Sequence, residues 1–258
     1  MNTPLVSLEV HGATAEIALA NPPLNFVTIG MLSDLHRVVR KLASRADVRS
    51  VIVHSGTARA FCAGSDMKEF SALVADAAVR KILPEDHVLR LLAELPMPTI
   101  AAIDGPALGG GLELALSCDL RVAQVNATLG ATESRIGGLA GSGTQRLARL
   151  IGPARALELL FTGTVITAVQ ALSWGLVNVV TKNTTALDGA RELAAVINSR
   201  GPLSNRLAKT LVTTALDGPL DSGLSRAVMA QQTIFDSSDL LEGATAFLEK
   251  REPRFTGL

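Results

Sequence analysis

With 258 residues, 48% of them hydrophobic and 19% charged, the chain can bury a core and is no disordered polymer. Size scaling gives about 39,000 Å² of surface unfolded and about 11,000 Å² folded, which suits one large domain or one domain with an appendage. Lys plus Arg and Asp plus Glu both number 24, and aromatic residues make up 3%, so nothing favours a nucleic acid or an anionic membrane as partner.

The N-terminus, Met1-Asn-Thr-Pro4, has neither the basic nor the apolar stretch of a signal peptide. Val6–Val10 and Ala15–Leu19 read as two strands of a hairpin around Gly12, and Asn21-Pro-Pro-Leu-Asn25 cannot be regular structure. From Ile29 to Ala43, Leu32, Leu35, Val38, Val39 and Leu42 recur at helical spacing. Val48–Val53 and Thr99–Ile103 are buried strands, and residues 67–94 between them are mostly helical, interrupted at Pro84. Leu120–Ala123 is a further strand, followed by a loop of about 20 residues and then by helical patterns from Ser142 onward. Thr99–Ser117 is too interrupted, by Asp104, Glu113 and its glycines, to cross a membrane, so a cytoplasmic protein is expected. Cys62 and Cys118 read as small buried hydrophobes, not as a disulfide framework.

Two stretches resemble each other. Val51–Gly56 leads to Cys62-Ala-Gly-Ser-Asp66 and a helix, and Ile100–Gly105 leads to Gly109-Gly-Gly-Leu-Glu113 and a helix. A strand, a glycine turn and a helix start are used twice, which predicts an internally repetitive α/β core over residues 1–195. Beyond about residue 195, segments 202–216, 221–235 and 238–249 read as helices, so residues 196–258 form a helical appendage. A mean hydropathy of +0.33 points to surface hidden in an oligomer.

Several chemistries drop out. There is no Walker A loop, no G-x-S-x-G elbow and no complete G-x-G-x-x-G, and the four histidines are scattered without metal-ligand spacing. What remains is Gly109-Gly110-Gly111 at the start of a helix, where unpaired N–H groups can meet a ligand oxygen. The same glycines would equally serve a tight strand–helix turn. A second donor can come from Ala63-Gly-Ser65, ahead of a helix capped by Asp66 with Glu69 three residues on. Two such N–H groups would make an oxyanion hole. Glu113, among Leu112, Leu114 and Ala115, reads as a buried carboxylate one turn from Gly110. Glu133 is either a surface carboxylate paired with Arg135 or the second member of an acid/base pair acting on one water.

These residues carry a resemblance over nearly the whole chain. The chain is similar to the enoyl-CoA hydratase/isomerase (crotonase) family in Asn21–Asn25, Ala60-Phe-Cys-Ala-Gly-Ser-Asp66, Pro98–Gly105, Gly109-Gly-Gly-Leu-Glu113, Ser117-Cys-Asp119, Gly141-Ser-Gly-Thr-Gln-Arg-Leu147, Phe161-Thr-Gly163, Gly175-Leu-Val177 and Phe247-Leu-Glu-Lys-Arg251, in the family's order. The resemblance implies a spiral of ββα units followed by a helical trimerisation region, assembled as a homotrimer or homohexamer. It implies an acyl-CoA thioester as ligand, with CoA as part of the substrate, no other cofactor and no metal. Position by position it places the oxyanion-hole N–H groups at Ser65 and Gly110, the catalytic carboxylates at Glu113 and Glu133, and a water-positioning backbone at Gly141. CoA contacts fall to Arg59, Ala63, Ser65, Asp66, Met67, Lys68 and Gly110, with Phe247 and Lys250 supplied by a neighbouring subunit.

Two glutamates are the mark of the family's hydratases, which add water to a trans-2-enoyl-CoA to give a 3-hydroxyacyl-CoA, as in fatty-acid metabolism. The alternatives are double-bond isomerisation by Glu133 alone and a non-catalytic acyl-CoA-binding or scaffold role. Ala131-Thr132 stands before Glu133 where hydratases often have proline, so the orientation of Glu133 is the open point. Acyl preference would be set between Glu69 and Leu95 and by the C-terminal helices.

Overall fold

Val6–His11 (β1) and Thr14–Leu19 (β2) pair antiparallel across Gly12, with Val6 opposite Leu19. The computed structural model describes residues 3–73 and 76–257. Ser50–His54 (β3), Thr99–Ile103 (β4), Leu120–Gln124 (β6) and Val179–Thr181 (β9) extend the hairpin into a six-stranded sheet of order β1-β2-β3-β4-β6-β9. It is parallel from β2 onward. Strands covered on both faces need continuous apolar runs, and Val51–Val53 and Ile100–Ile103 are fully buried. Val51, Val53, Ala101 and Ile103 belong to the main core, into which Ile29–Leu42 (α1) turns Met31, Leu35, Val38 and Leu42. Ile52, Ile100, Ala102 and Val122 form a second core with Ala186, Ala190 and Ala194 of Ala186–Asn198 (α8).

A smaller sheet runs alongside: Pro106–Leu108 (β5), Thr128–Gly130 (β7) and Val165–Thr167 (β8), in the order β5-β7-β8. Each turn of the spiral places one strand in the large sheet and the next short one in the small sheet, β4 then β5 and β6 then β7. The repeat expected around residues 51–66 and 100–113 is there: Cys62 bridges Ala107 in parallel, so the two segments sit side by side at the same stage of the turn. Gly56 and Gly105 make the corresponding bends at φ +57° and +73°.

The sequence reading needs three corrections here. The expected loop after β6 contains β7 and a 3-10 turn at Glu133–Ile136, and β8 and β9 lie inside the region read as helical. Three-residue strands are shorter than any window in which an alternation can register. Pro84 marks a change of winding and not a gap: a π-helical turn at Ala78–Ile82 runs directly into Leu83–Ala93 (α3), with the proline in the first turn of α3. Glu69, in Met67–Leu73 (α2), does not reach back to Asp66; both its oxygens accept from the N–H of Ile29 at the start of α1, at 3.2 and 3.1 Å.

The remaining helices are Gly110–Leu116 (α4), Gly141–Ile151 (α5), Pro153–Thr162 (α6), Ala168–Ser173 (α7), Pro202–Thr213 (α9), Leu220–Phe235 (α10) and Ser238–Glu249 (α11). Helix α10 buries no residue. The tail after α11 is tied down, since Asp239 accepts from the N–H groups of Thr256 and Gly257 at 2.7 and 2.8 Å. The chain exposes 13598 Å², against about 11,000 Å² for a compact monomer of this mass. Among the described residues no helix is long and apolar enough to cross a membrane.

Candidate active site

Asn25 organises the entrance to the site. Buried and at φ +51°, it donates from its side-chain amide to the carbonyls of Ser55, Ala60 and Phe61 at 3.0, 3.2 and 3.1 Å. That fixes the strand-like run through Cys62, whose N–H donates to Pro106 O and whose carbonyl accepts from Leu108 N–H. The next residues are zipped to Val27: its N–H donates to Gly64 O at 2.9 Å and its carbonyl accepts from Asp66 N–H at 3.3 Å. Ser65 lies between these bonds, and its own N–H has no hydrogen-bond partner among the described residues.

The three consecutive glycines answer three different demands. Gly109 turns the chain from β5 into α4 at φ +52° and ψ −127°, a conformation that penalises any side chain. Gly111 packs against the Cys62 carbonyl so closely that a Cβ would overlap it. Gly110 faces the Glu85 carboxyl and Ser65 at the cavity wall, and its N–H, the first of α4, has no partner among the described residues. The point where a Gly110 Cβ would stand is 3.8 Å from Ser65 N, so the two free donors border one spot. The glycine turn is therefore structural at Gly109 and Gly111 and open to a ligand at Gly110.

Both glutamates line the cavity onto which those donors open. Glu113 is 7% exposed and accepts from the Gly143 N–H and the Ser142 hydroxyl in the first turn of α5, each at 3.2 Å. Burial pushes its carboxyl up to about 7; the Gly143 bond opposes this, and the carboxylates of Glu85 and Glu133 add to it. Glu133 opens the 3-10 turn and lies over Gly109, its Oε1 3.2 Å from where a Cβ on that glycine would be. Its Oε2 is buried without a hydrogen-bond partner, and burial holds its carboxyl above the usual range. The alternative pairing with Arg135 does not form: the Arg135 side chain packs beside Gly163.

All of this lines one cavity of about 700 Å³. Ala63, Ser65, Met67, Gly110, Glu113, Glu133 and Gly141 are in its wall, as the sequence reading grouped them. A Cβ on Gly141 would stand 4.0 Å from both Glu113 oxygens. Arg59, Asp66 and Lys68 are outside the wall, Arg59 and Lys68 exposed and Asp66 capping α2 through Lys68 N–H at 2.9 Å. Phe247, 83% exposed, and Lys250, at the end of α11, are likewise outside it.

Four further residues went unread. Ser142 and Gly143 hold Glu113, and Lys81 and Glu85 line the cavity from the helical side. The Gly141-Ser-Gly143 run belongs to one of the motifs above, but nothing in its spacing signals a bond to Glu113 from 30 positions away.

Compared with known proteins, residues 9–258 match the family model described as enoyl-CoA hydratase/isomerase. The chain is 38% identical over 238 residues to the mitochondrial methylglutaconyl-CoA hydratase of Rattus norvegicus, covering 90% of this chain and 76% of that one. It is 36% identical over 254 residues to the (E)-benzylidenesuccinyl-CoA hydratase of Thauera aromatica, covering 98% and 99%. The crystal structure of an enoyl-CoA hydratase from Bacillus anthracis superposes with a TM-score of 0.95 at 36% identity, over 98% of this chain and 100% of that one. The spiral with its C-terminal helices is thus the crotonase-type fold that the motifs implied.

Proposed function

We infer that this chain, which belongs to the enoyl-CoA hydratase/isomerase family, hydrates a trans-2-enoyl-CoA to a 3-hydroxyacyl-CoA. The observation that carries the reading is the meeting of two unpaired N–H groups, at Ser65 and Gly110, with the buried carboxyl of Glu113 and the half-buried one of Glu133 in one cavity. The thioester oxygen accepts from both N–H groups, and the hole stabilises it as negative charge moves onto it. Glu113, at about 7, is poised to be ionised near neutral pH and takes a proton from the water whose oxygen bonds to C3. Glu133 is held toward its neutral form and delivers a proton to C2. Hydroxyl to C3 and proton to C2 add up to one water once the proton taken by Glu113 leaves to solvent and Glu133 regains one, and no change of oxidation state calls for a redox cofactor.

CoA would run from the cavity mouth past Ala63 to Lys68 and Arg59. Phe247 and Lys250 stand outside the wall of the cavity that holds the glutamates, which fits their serving a neighbour's site in a homotrimer or homohexamer. Exposed apolar side chains on the C-terminal helices, among them Val212, Leu220, Met229 and Leu241, and the excess surface point the same way. Residues 196–258 would then be the oligomerisation region.

Loss of the enoyl-thioester absorbance of crotonyl-CoA is the test. Hydration removes the band. A 3-enoyl substrate that gains it without hydration would mean isomerisation by Glu133, and tight binding without either change would mean a binding role.

A further inference from the structure

The helical wall of the cavity is apolar at Met67, Phe70 and Ile82 but is broken by a polar patch, Lys81 and Glu85, that a plain alkyl chain would leave unanswered. Lys81, only 3% exposed, lines the cavity together with Glu85, one helical turn on. The Lys81 ammonium donates to Val27 O at 2.6 Å. Its other neighbours are the carboxylates of Glu69 and Glu85, at 3.8 and 3.9 Å, close enough for ion pairing but too far for hydrogen bonds. Glu69 is already committed to Ile29 N–H. The Glu85 carboxyl accepts no hydrogen bond among the described residues, and Glu85 also lines a small apolar void with Val27, Met31, Leu35 and Leu89. Two ammonium hydrogens and the Glu85 oxygens are therefore unspent at a shielded wall. That wall is near the reacting end, since Glu85 Oε1 is 3.1 Å from where a Cβ on Gly110 would stand.

We propose that Lys81 and Glu85 form a polar subsite selecting an enoyl group that carries its own hydroxyl within a few bonds of the thioester. The hydroxyl donates to Glu85 and accepts from Lys81. A neutral group with one donor and one acceptor matches both partners at once. A second carboxylate would face Glu69, Glu85, Glu113 and Glu133, and an ammonium would face Lys81. A bare alkyl chain would strip water from both side chains and return nothing, which is the penalty by which such sites reject an analogue lacking the group. The inference rests on the acyl-CoA reading above, though not on the hydration step.

The test compares crotonyl-CoA with trans-4-hydroxybut-2-enoyl-CoA as substrates, and butyryl-CoA with 4-hydroxybutyryl-CoA as non-reacting ligands in calorimetry. The hydroxylated member of each pair is expected to be favoured at least tenfold, mostly through KM and Kd. Glu85→Leu, alone and combined with Lys81→Met, should reduce that preference to about twofold or less; thermal melts of both variants guard against misfolding. A preference for the plain chain, a hydroxyl preference that survives Glu85→Leu in folded protein, or tighter binding of glutaryl-CoA would overturn the subsite. Should neither enoyl-CoA be hydrated while the saturated ligands show the preference and lose it in the variants, the hydration reading fails and the subsite stands. Hydration of both substrates at equal efficiency is the reverse case.

Discussion

Gly143 and Glu113 are fitted to each other without slack: the Gly143 N–H donates to Glu113 Oε1 at 3.2 Å, and a Cβ on Gly143 would stand 3.0 Å from that same oxygen. The bond needs the carboxylate to come closer than a side chain at position 143 would allow. Gly143→Ala should therefore push Glu113 off its donor while leaving α5 intact, because alanine is the better helix former. The expected result is a fall in kcat of about tenfold or more with a melting temperature within a few degrees of the parent. Unchanged kcat would mean that Glu113 acts without this support.

Glu113→Gln and Glu133→Gln keep shape and remove acid–base chemistry. Each should lower hydration by about 10² or more, as lost general catalysis does. Steady-state kinetics on folded variants decides the roles separately. Isomerase turnover that survives Glu113→Gln but not Glu133→Gln would transfer the site to the one-carboxylate reaction.

Acidity gives an independent handle on Glu113. As a base it works ionised, so kcat/KM should rise as pH climbs toward about 7, the value to which burial pushes its carboxyl from an ordinary 4.5, and fall again on the alkaline side as Glu133, the acid, loses its proton. Stability runs the other way. A carboxyl that binds its proton more tightly folded than unfolded contributes stability in full below pH 4.5, and loses it as pH climbs to about 7. The shift corresponds to about 3 kcal/mol. Glu113→Gln should thus gain stability relative to the parent across that window in denaturant titrations and differ little in pH dependence below it. Glu85 and Glu133, raised as well, leave some slope in the variant.

Much of the site was legible because its residues are adjacent in sequence or in motif: Ser65 follows the Gly64 turn, and Glu113 follows Gly110 by one helical turn. Lys81 and Glu85 were not. Lysine and glutamate four residues apart on a helix ordinarily form a solvated surface pair, and only the packing of that helix against Val27 and Gly110 turns the pair inward. Glu69 misled for a similar reason: its spacing from Asp66 is that of a capping box, yet its carboxylate is claimed by Ile29, 40 residues away in the chain. The short strands β7 to β9 are held by their neighbours and not by any pattern of their own.

Asn25 should prove a structural support of the site from a distance. Its amide serves three buried carbonyls, and Asn25→Ala would leave those without a partner. A loss of about 2 kcal/mol or more is expected in chemical denaturation. The loop to Ser65 would loosen, so KM should rise even at temperatures where the variant is fully folded.

The oxyanion hole can be tested by three substitutions that separate its parts. Ser65→Ala deletes a hydroxyl and keeps the backbone donor, so activity should stay within about tenfold, or roughly 1.4 kcal/mol of barrier. Gly110→Ala keeps the N–H and adds a Cβ that would stand 3.1 Å from Glu85 Oε1 and 3.5 Å from the Ser65 hydroxyl, which measures crowding alone. Gly110→Pro adds the same Cβ, deletes the N–H and puts its ring Cδ where that hydrogen pointed, so it tests donor and oxyanion position together. As the first residue of α4, position 110 accepts proline without losing an intrahelical bond. Activity should fall a further 10² or more from the alanine to the proline variant, the usual worth of one oxyanion donor, with both melting near the parent. Equal activities in the alanine and proline variants would show that the N–H of residue 110 does not bind the thioester oxygen. A loss near 10³ in Ser65→Ala would put the serine hydroxyl, instead of its backbone, into the reaction.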